Sequence, residues 1–161
     1  MTVFLDRVRS KLNCKCLVKS GLNKNGCKIS MANAPSLRLV VDFDKPGSPL
    51  PSNSTRCDYL VIAEDARGSG LIMPLELKRG SLDAGQVIKQ LQAGAQAAEG
   101  LVPKGGSVSF LPVVASGSIK KHERIRLRKR GTIRFREHYK PVRRISCGAR
   151  LVDAVDAIKE K

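Results

Sequence analysis

Tryptophan is absent from the chain and the other aromatics are scarce, with two tyrosines and four phenylalanines in 161 residues. So few rings argue against base stacking as the main source of any nucleic-acid affinity. Acidic side chains are few as well, 14 against 30 lysines and arginines, which leaves a net charge of +16 and an isoelectric point near 10.2. A surface that basic favours a polyanionic partner, nucleic acid most simply. Long apolar runs are missing too: none approaches the roughly 18 residues of a membrane-spanning helix, and no strongly amphipathic basic helix argues for an anionic membrane surface. The N-terminal stretch MTVFLDRVRSKL interrupts its apolar positions with charges and has no secretory core. The expectation is a cytoplasmic protein that binds no membrane.

The two histidines, His122 and His138, lie among basic residues, where solvent or phosphate contact is expected ahead of metal ligation. Five cysteines, an odd number without an export signal, read as free thiols. Cys14, Cys16 and Cys27, with Cys57 as a fourth, raise zinc, but the paired C-x₂₋₄-C spacing of a zinc knuckle is missing. Cys57 and Cys147 sit in apolar surroundings and read as buried thiols.

With 42% hydrophobic content, the chain is long enough for one domain with a real core. Basic residues outnumber acidic ones nine to three in residues 1–48 and fifteen to five in 116–161, but match them six to six in 49–115. A neutral middle between basic flanks suits a chemical centre gripped on both sides by phosphate-binding surface.

That middle contains RCDYLVIAEDARGSGLIMPLELKRGSLDAGQVIKQL, residues 56–91. Two apolar runs around a polar, glycine-bearing break predict an antiparallel hairpin. A turn centred near Arg67 and Gly68 pairs residues whose numbers sum to about 134–136, which sets Asp58 opposite Glu76. Lys78 shares the face of Glu76, and Leu75 and Leu77 take the other. Two carboxylates this close repel unless a cation, a proton or the lysine offsets them, and hard oxygen ligands suit Mg²⁺ or Mn²⁺. A plainer alternative has Asp58 and Glu76 capping strands or pairing with Lys78 and Arg79.

An Asp opening one strand, Glu-x-Lys closing the next and a Gln-bearing helix after it resemble the PD-(D/E)xK nuclease superfamily. The segments CDYLVI, PLELKRG and QVIKQLQAGAQAA are similar to one of its small bacterial branches. The resemblance implies a restriction-endonuclease-like αβββαβ core with a mixed sheet, and metal-dependent hydrolysis of DNA or RNA phosphodiesters. It implies that Asp58, Glu76 and the backbone carbonyl of Leu77 hold Mg²⁺ or Mn²⁺, that Lys78 orients the attacking water, and that Gln90, a better match than Gln86, orients water or touches phosphate. Many members carry a glutamate on the first helix; Asp6 is the only acid available there.

The remaining segments follow that plan. Val3, Phe4, Val8 and Leu12 predict a first helix over 3–13, residues 18–34 read as a mobile basic loop, and LRLVVDF, 37–43, as a first strand with Asp42 and Asp44 as loop acids. Ser81 or Asp83 caps the next helix, Val87, Leu91, Ala95 and Ala98 form its apolar stripe, and Gly94 lets it pack closely. Residues 107–115 complete a core spanning about 4–115. In residues 124–136, Ile125, Leu127, Ile133 and Phe135 alternate with arginines, predicting an appended basic β-hairpin that turns at Lys129, Arg130 and Gly131. Its Arg124, Arg126, Arg128, Arg130, Arg134 and Arg136, with Arg79, Lys120 and Lys121, are the candidate nucleic-acid contacts. A strand over 142–147 and a closing helix follow, the latter with Leu151, Val155 and Ile158 inward and Asp153 and Asp156 in water. The expected whole is a single α/β domain acting as a nuclease, or alternatively a non-catalytic nucleic-acid-binding protein on the same fold; a homodimer is left open.

Overall fold

The computed structural model describes residues 2–19, 21–51 and 53–159, without the side chains from 156 onward, so the water-facing and apolar roles expected of Asp156 and Ile158 lie outside the described residues. Its centre is a mixed sheet of β3 (Arg38–Asp42), β4 (Tyr59–Glu64), β5 (Gly70–Ser81), β6 (Val108–Phe110), β7 (Val113–Ser118) and β10 (Arg143–Ser146), in the order β10-β7-β5-β4-β3 with β6 also beside β5. The pairs β3/β4 and β4/β5 are antiparallel, whereas β6, β7 and β10 run parallel to their neighbours. Residues 107–115 are therefore two strands, stepped at Leu111 and Pro112, where proline can supply no ladder N–H.

Side-chain alternation divides the core by sheet face. One face carries Leu60, Ile62, Ile72 and Val114 and is covered by α1 (Val3–Ser10), α2 (Ala84–Leu101), α3 (Lys121–Arg130) and β8 (Thr132–Phe135). The other carries Tyr59, Val61, Met73, Leu75, Leu77 and Val113 under the hairpin β1 (Leu22–Lys24)/β2 (Cys27–Ile29) and α4 (Leu151–Lys159). Among the described residues, no helix is long and apolar enough to cross a membrane.

Helix α2 governs the first face. Asp83 caps it by accepting from the Gln86 N–H at 3.0 Å, and the buried stripe is Val87, Leu91, Ala95 and Ala98, as its spacing predicts. At Gly94 the helix meets the sheet so closely that a Cβ would lie 2.4 Å from Cys57 Sγ and 3.0 Å from Pro74 Cβ.

Three expectations need correction. Residues 124–130 are helix, not strand, and the hairpin is β8 with β9 (His138–Pro141), turning at Arg136 and Glu137. The sequence KHERIRLRKR consists mostly of good helix formers. Helical spacing buries Glu123 and Leu127, four apart, while spreading the arginines round the circumference instead of stacking them on one face. Residues 18–34, expected as a loop, contain β1 and β2, turned by Asn25 and Gly26 with φ of 53° and 85°. Asn-Gly is a strong hairpin signal that the surrounding polarity obscured. Finally, Cys27 and Cys147 are disulfide-bonded, with Cα atoms 5.0 Å apart across a sequence separation of 120. Tertiary folding lays β2 beside the residue that follows β10, so the odd cysteine count left three free thiols, not five. Of those, Cys14 is exposed while Cys16 and Cys57 are buried, so the zinc grouping does not form.

Replacing Gly94 by Ala should lower stability by about 1–3 kcal/mol, because the new methyl meets buried atoms that have no room to move. Gly100→Ala, in the same helix with nothing within 4 Å of its Cβ position, should be neutral or slightly stabilising. Urea midpoints of the two variants test the close contact.

Candidate functional site

The ladder of β4 and β5 pairs Tyr59 with Leu75, and extending that register by one residue sets Asp58 opposite Glu76, as the hairpin reading predicts. The turn is closed by the Gly68 N–H donating to the Asp65 carbonyl and the Asp65 N–H to that of Ser69, with Gly68 at φ 80°. Beyond the last backbone pair, Asp58 Oδ2 accepts the Leu77 N–H at 2.8 Å and thereby continues the ladder with a side chain. Glu76 and Lys78 point to the α2 face, while Leu75 and Leu77 enter the opposite core.

Glu76 is only 2% exposed. Lys78 Nζ stands 3.9 Å from Glu76 Oε1, and Glu76 Oε2 is buried without a hydrogen-bond partner. Burial first, then a hydrogen bond with Asp58 and the charge of Asp58, push the Glu76 carboxyl up to about 10; Lys78 offsets this only in part. At neutral pH the metal-free pair therefore keeps a proton. Gln90 Oε1, on α2, is likewise buried without a partner. It lines a polar cavity of about 420 Å³ with Asp58, Gln86, Lys89, Asp44, Arg56 and the loop residues Asn53, Ser54 and Thr55. A larger apolar cavity of about 480 Å³ opens at the far end of the hairpin, beside Leu71, Leu111 and Leu151, and contains none of these groups.

Asp42 is the last residue of β3, buried in the strand and not in the loop expected for it, and Asp44 follows in the turn beyond. Asp42 pairs with Tyr59, so its side chain belongs to the face opposite Asp58. There Lys24 Nζ bridges Asp42 Oδ1 and Asp44 Oδ2, both at 2.9 Å, and Arg56 Nε holds Asp44 Oδ1 at 2.8 Å. Burial pushes the Asp44 carboxyl up, but the hydrogen bonds from Lys24 and Arg56 outweigh it and hold the group below its ordinary value. Asp6 is exposed on α1 and does not line the cavity at Asp58. Among the described residues, no three His, Cys, Asp or Glu side chains converge as a metal-binding group. Any ion at Asp58 and Glu76 would thus rely on backbone and solvent oxygens for its other ligands, a mode that suits Mg²⁺. Leu77 can supply one, since a strand residue's carbonyl leaves on the side of its own N–H, and that N–H faces Asp58.

The predicted basic contacts fare unequally. Lys120, Lys121, Arg124, Arg128 and Arg130 are exposed on and beside α3. Arg126 binds Glu123 at 3.0 Å, and Glu123 in turn accepts the Ala84 N–H at 2.5 Å, which ties α3 to the start of α2. Arg134 donates from Nε to the Arg136 carbonyl and lies over the Tyr139 ring. Arg136 is structural: its guanidinium donates to the carbonyls of Val102, Pro103 and Glu99 at the end of α2, and its φ of 54° is that of the first residue in the two-residue β8/β9 turn. Arg79 is exposed and leans on Gly26, on the opposite face to Lys78. Reading residues singly missed the Lys24, Asp44 and Arg56 network and a contact of Arg144 with Ser116, whose members lie on separate elements. Compared with known proteins, the chain matches no family model, no curated protein and no solved structure.

A group whose folded pKa is raised above its unfolded value of about 4.5 stays protonated in the folded protein while the unfolded chain ionises, so Glu76 costs stability increasingly as pH rises from there toward 10. In the metal-free protein, Glu76→Gln should therefore melt higher than wild type. The gap should widen between pH 5 and 9 by up to about 1.4 kcal/mol per pH unit; a gap independent of pH would refute the raised carboxyl.

Proposed function

We propose that this chain is a metal-dependent nuclease of the PD-(D/E)xK type, hydrolysing phosphodiester bonds in DNA or RNA. The observation that carries the reading is the meeting of Asp58, Glu76 and Lys78 at one end of a hairpin, with Glu76 Oε2 buried without a protein partner and Asp58 lining a polar cavity together with Gln90. Ionised, Glu76 has a buried oxygen that no protein group satisfies, a need that a proton shared with Asp58 meets and that a divalent cation in its place would meet as well. The order α1, β3, β4, β5, α2, β7, antiparallel and then parallel after the helix, fits the αβββαβ core that the resemblance implies.

On this reading Asp58, Glu76 and the Leu77 carbonyl hold Mg²⁺ or Mn²⁺. Such an ion supplies Lewis-acid chemistry, acidifying water and offsetting the charge that builds on the phosphate. Lys78, half-exposed at the site, orients the attacking water and donates to the phosphate oxygens as their charge grows. Gln90 offers its free amide oxygen to the same water from the helix side. The exposed cations of α3 and its flank bind neighbouring phosphates and add salt-dependent affinity.

A second reading has support from one contact. Asp58 already serves the ladder through the Leu77 N–H, which is what a strand-ending residue in a non-catalytic nucleic-acid-binding protein would do.

Labelled single-stranded, duplex and branched DNA and RNA, incubated with Mg²⁺ or Mn²⁺, separate the two. The nuclease reading expects metal-dependent cutting that falls by about a hundredfold or more in Lys78→Ala, with oligonucleotide affinity little changed. Tight, salt-sensitive binding without cutting in either metal would favour the binding protein and return Asp58 and Glu76 to structural roles.

A further inference from the structure

The sheet register continues the site beyond β5. Glu76 lies beside Val114 and Val114 beside Arg144, so Arg144 shares the face of the carboxylates two strands away. In the next row Lys78 lies beside Ser116, and Ser116 beside Ser146. Neighbouring strands are about 4.8 Å apart, so β10 runs roughly 10 Å from β5. Arg144 leans back toward that gap: its Nε donates to Ser116 Oγ at 2.7 Å and Nη2 to the Ser116 carbonyl at 3.3 Å. Ser116 is fully buried, so the guanidinium is held by a part of the sheet that does not move.

Two further features mark Arg144 as more than packing. It is half-buried, yet among the described residues no carboxylate lies within ion-pair distance of it. Most of its N–H groups also stay unclaimed by the contact with Ser116. A half-buried cation fixed in orientation, with a free fork of donors and no acid beside it, is suited to bidentate capture of a phosphate.

We propose that Arg144, fixed by Ser116, is a phosphate-binding residue of the same site, taking the backbone phosphate next to the one that Lys78 addresses. What it binds rests on the nuclease reading; that it binds a phosphate rests on its own geometry. Arg144 positions the strand and takes no part in the bond-breaking step. Ser116 acts through it.

The test measures binding of labelled single-stranded DNA, duplex DNA and RNA by anisotropy, in EDTA and over a range of salt, for wild type, Arg144→Gln, Arg144→Lys, Ser116→Ala and Arg143→Gln. Arg143 is the control: its substitution removes the same charge from the adjacent residue, which alternation puts on the opposite face. Arg144→Gln should weaken binding about tenfold or more and lower the salt slope by about one. Ser116→Ala should weaken it a few fold with the slope unchanged, Arg144→Lys should fall between, and Arg143→Gln should stay within about threefold of wild type. Where cutting is measurable, KM rises and kcat holds.

Wild-type affinity in Arg144→Gln, or equal losses in Arg144→Gln and Arg143→Gln, would overturn the proposal and leave the nuclease reading intact. Wild-type protein that binds none of the three polymers would overturn the proposal, and a lack of cutting in Mg²⁺ or Mn²⁺ as well would overturn the nuclease reading. Circular dichroism checks each fold; if Arg144→Gln does not fold, wild-type affinity in both Arg144→Lys and Ser116→Ala overturns the proposal on its own.

Discussion

Glu76 faces Asp58 because β4 and β5 pair in one register, and the rest of the site depends on that pairing. A slip of a single residue would turn Glu76 and Lys78 into the core now holding Leu75 and Leu77, and would turn those leucines toward the polar cavity. The register is held at both ends. The Asp65 turn closes one, and the carboxylate of Asp58 reaching the Leu77 N–H closes the other. Between them Leu60, Ile62 and Ile72 are fully buried under α2, so a slip would also expose the residues on which that helix rests.

The same pairing explains why α2 must come so near. Gln90 lines the cavity beside Asp58 only if the helix lies almost against the strand, and Gly94, over Cys57 and Pro74, permits the approach. Both ends of the helix are then secured from outside. Glu123 of α3 accepts from its first turn, and Arg136 of the β8/β9 turn covers the carbonyls at its end. Part of the basic C-terminal region thus holds the helix in place, while Arg124, Arg128, Lys129 and Arg130 of α3 stay exposed.

Charge is arranged in two neighbouring groups of opposite character. Asp42 and Asp44 are neutralised within the protein by Lys24 and Arg56. Among the described residues, the one cation paired with Asp58 or Glu76 is Lys78, 3.9 Å from Glu76, and the raised Glu76 carboxyl keeps a proton. A fold under selection for stability alone would replace a buried, incompletely satisfied carboxyl with an apolar side chain. Keeping it next to Asp58, which lines a polar cavity, accords with a site whose best partner comes from solution.

Local patterns carried much of this protein into view. Alternation and a glycine-bearing break in residues 56–78 predicted the hairpin, its register and the facing of Asp58, Glu76 and Lys78, because strand period and turn geometry are short-range properties. The stripe of α2 and its Asp83 cap were legible for the same reason. The helix at 121–130 was missed although KHERIRLRKR is rich in helix formers, because apolar residues two apart were read as strand alternation while the fold buries Glu123 and Leu127, four apart. The disulfide, the pairing of Lys24 with Asp42 and Asp44, the use of Arg136 to end α2 and the row from Glu76 to Arg144 have the same origin. Each joins elements that are adjacent only once the sheet has assembled, and no spacing along the chain encodes a neighbour that the fold alone supplies.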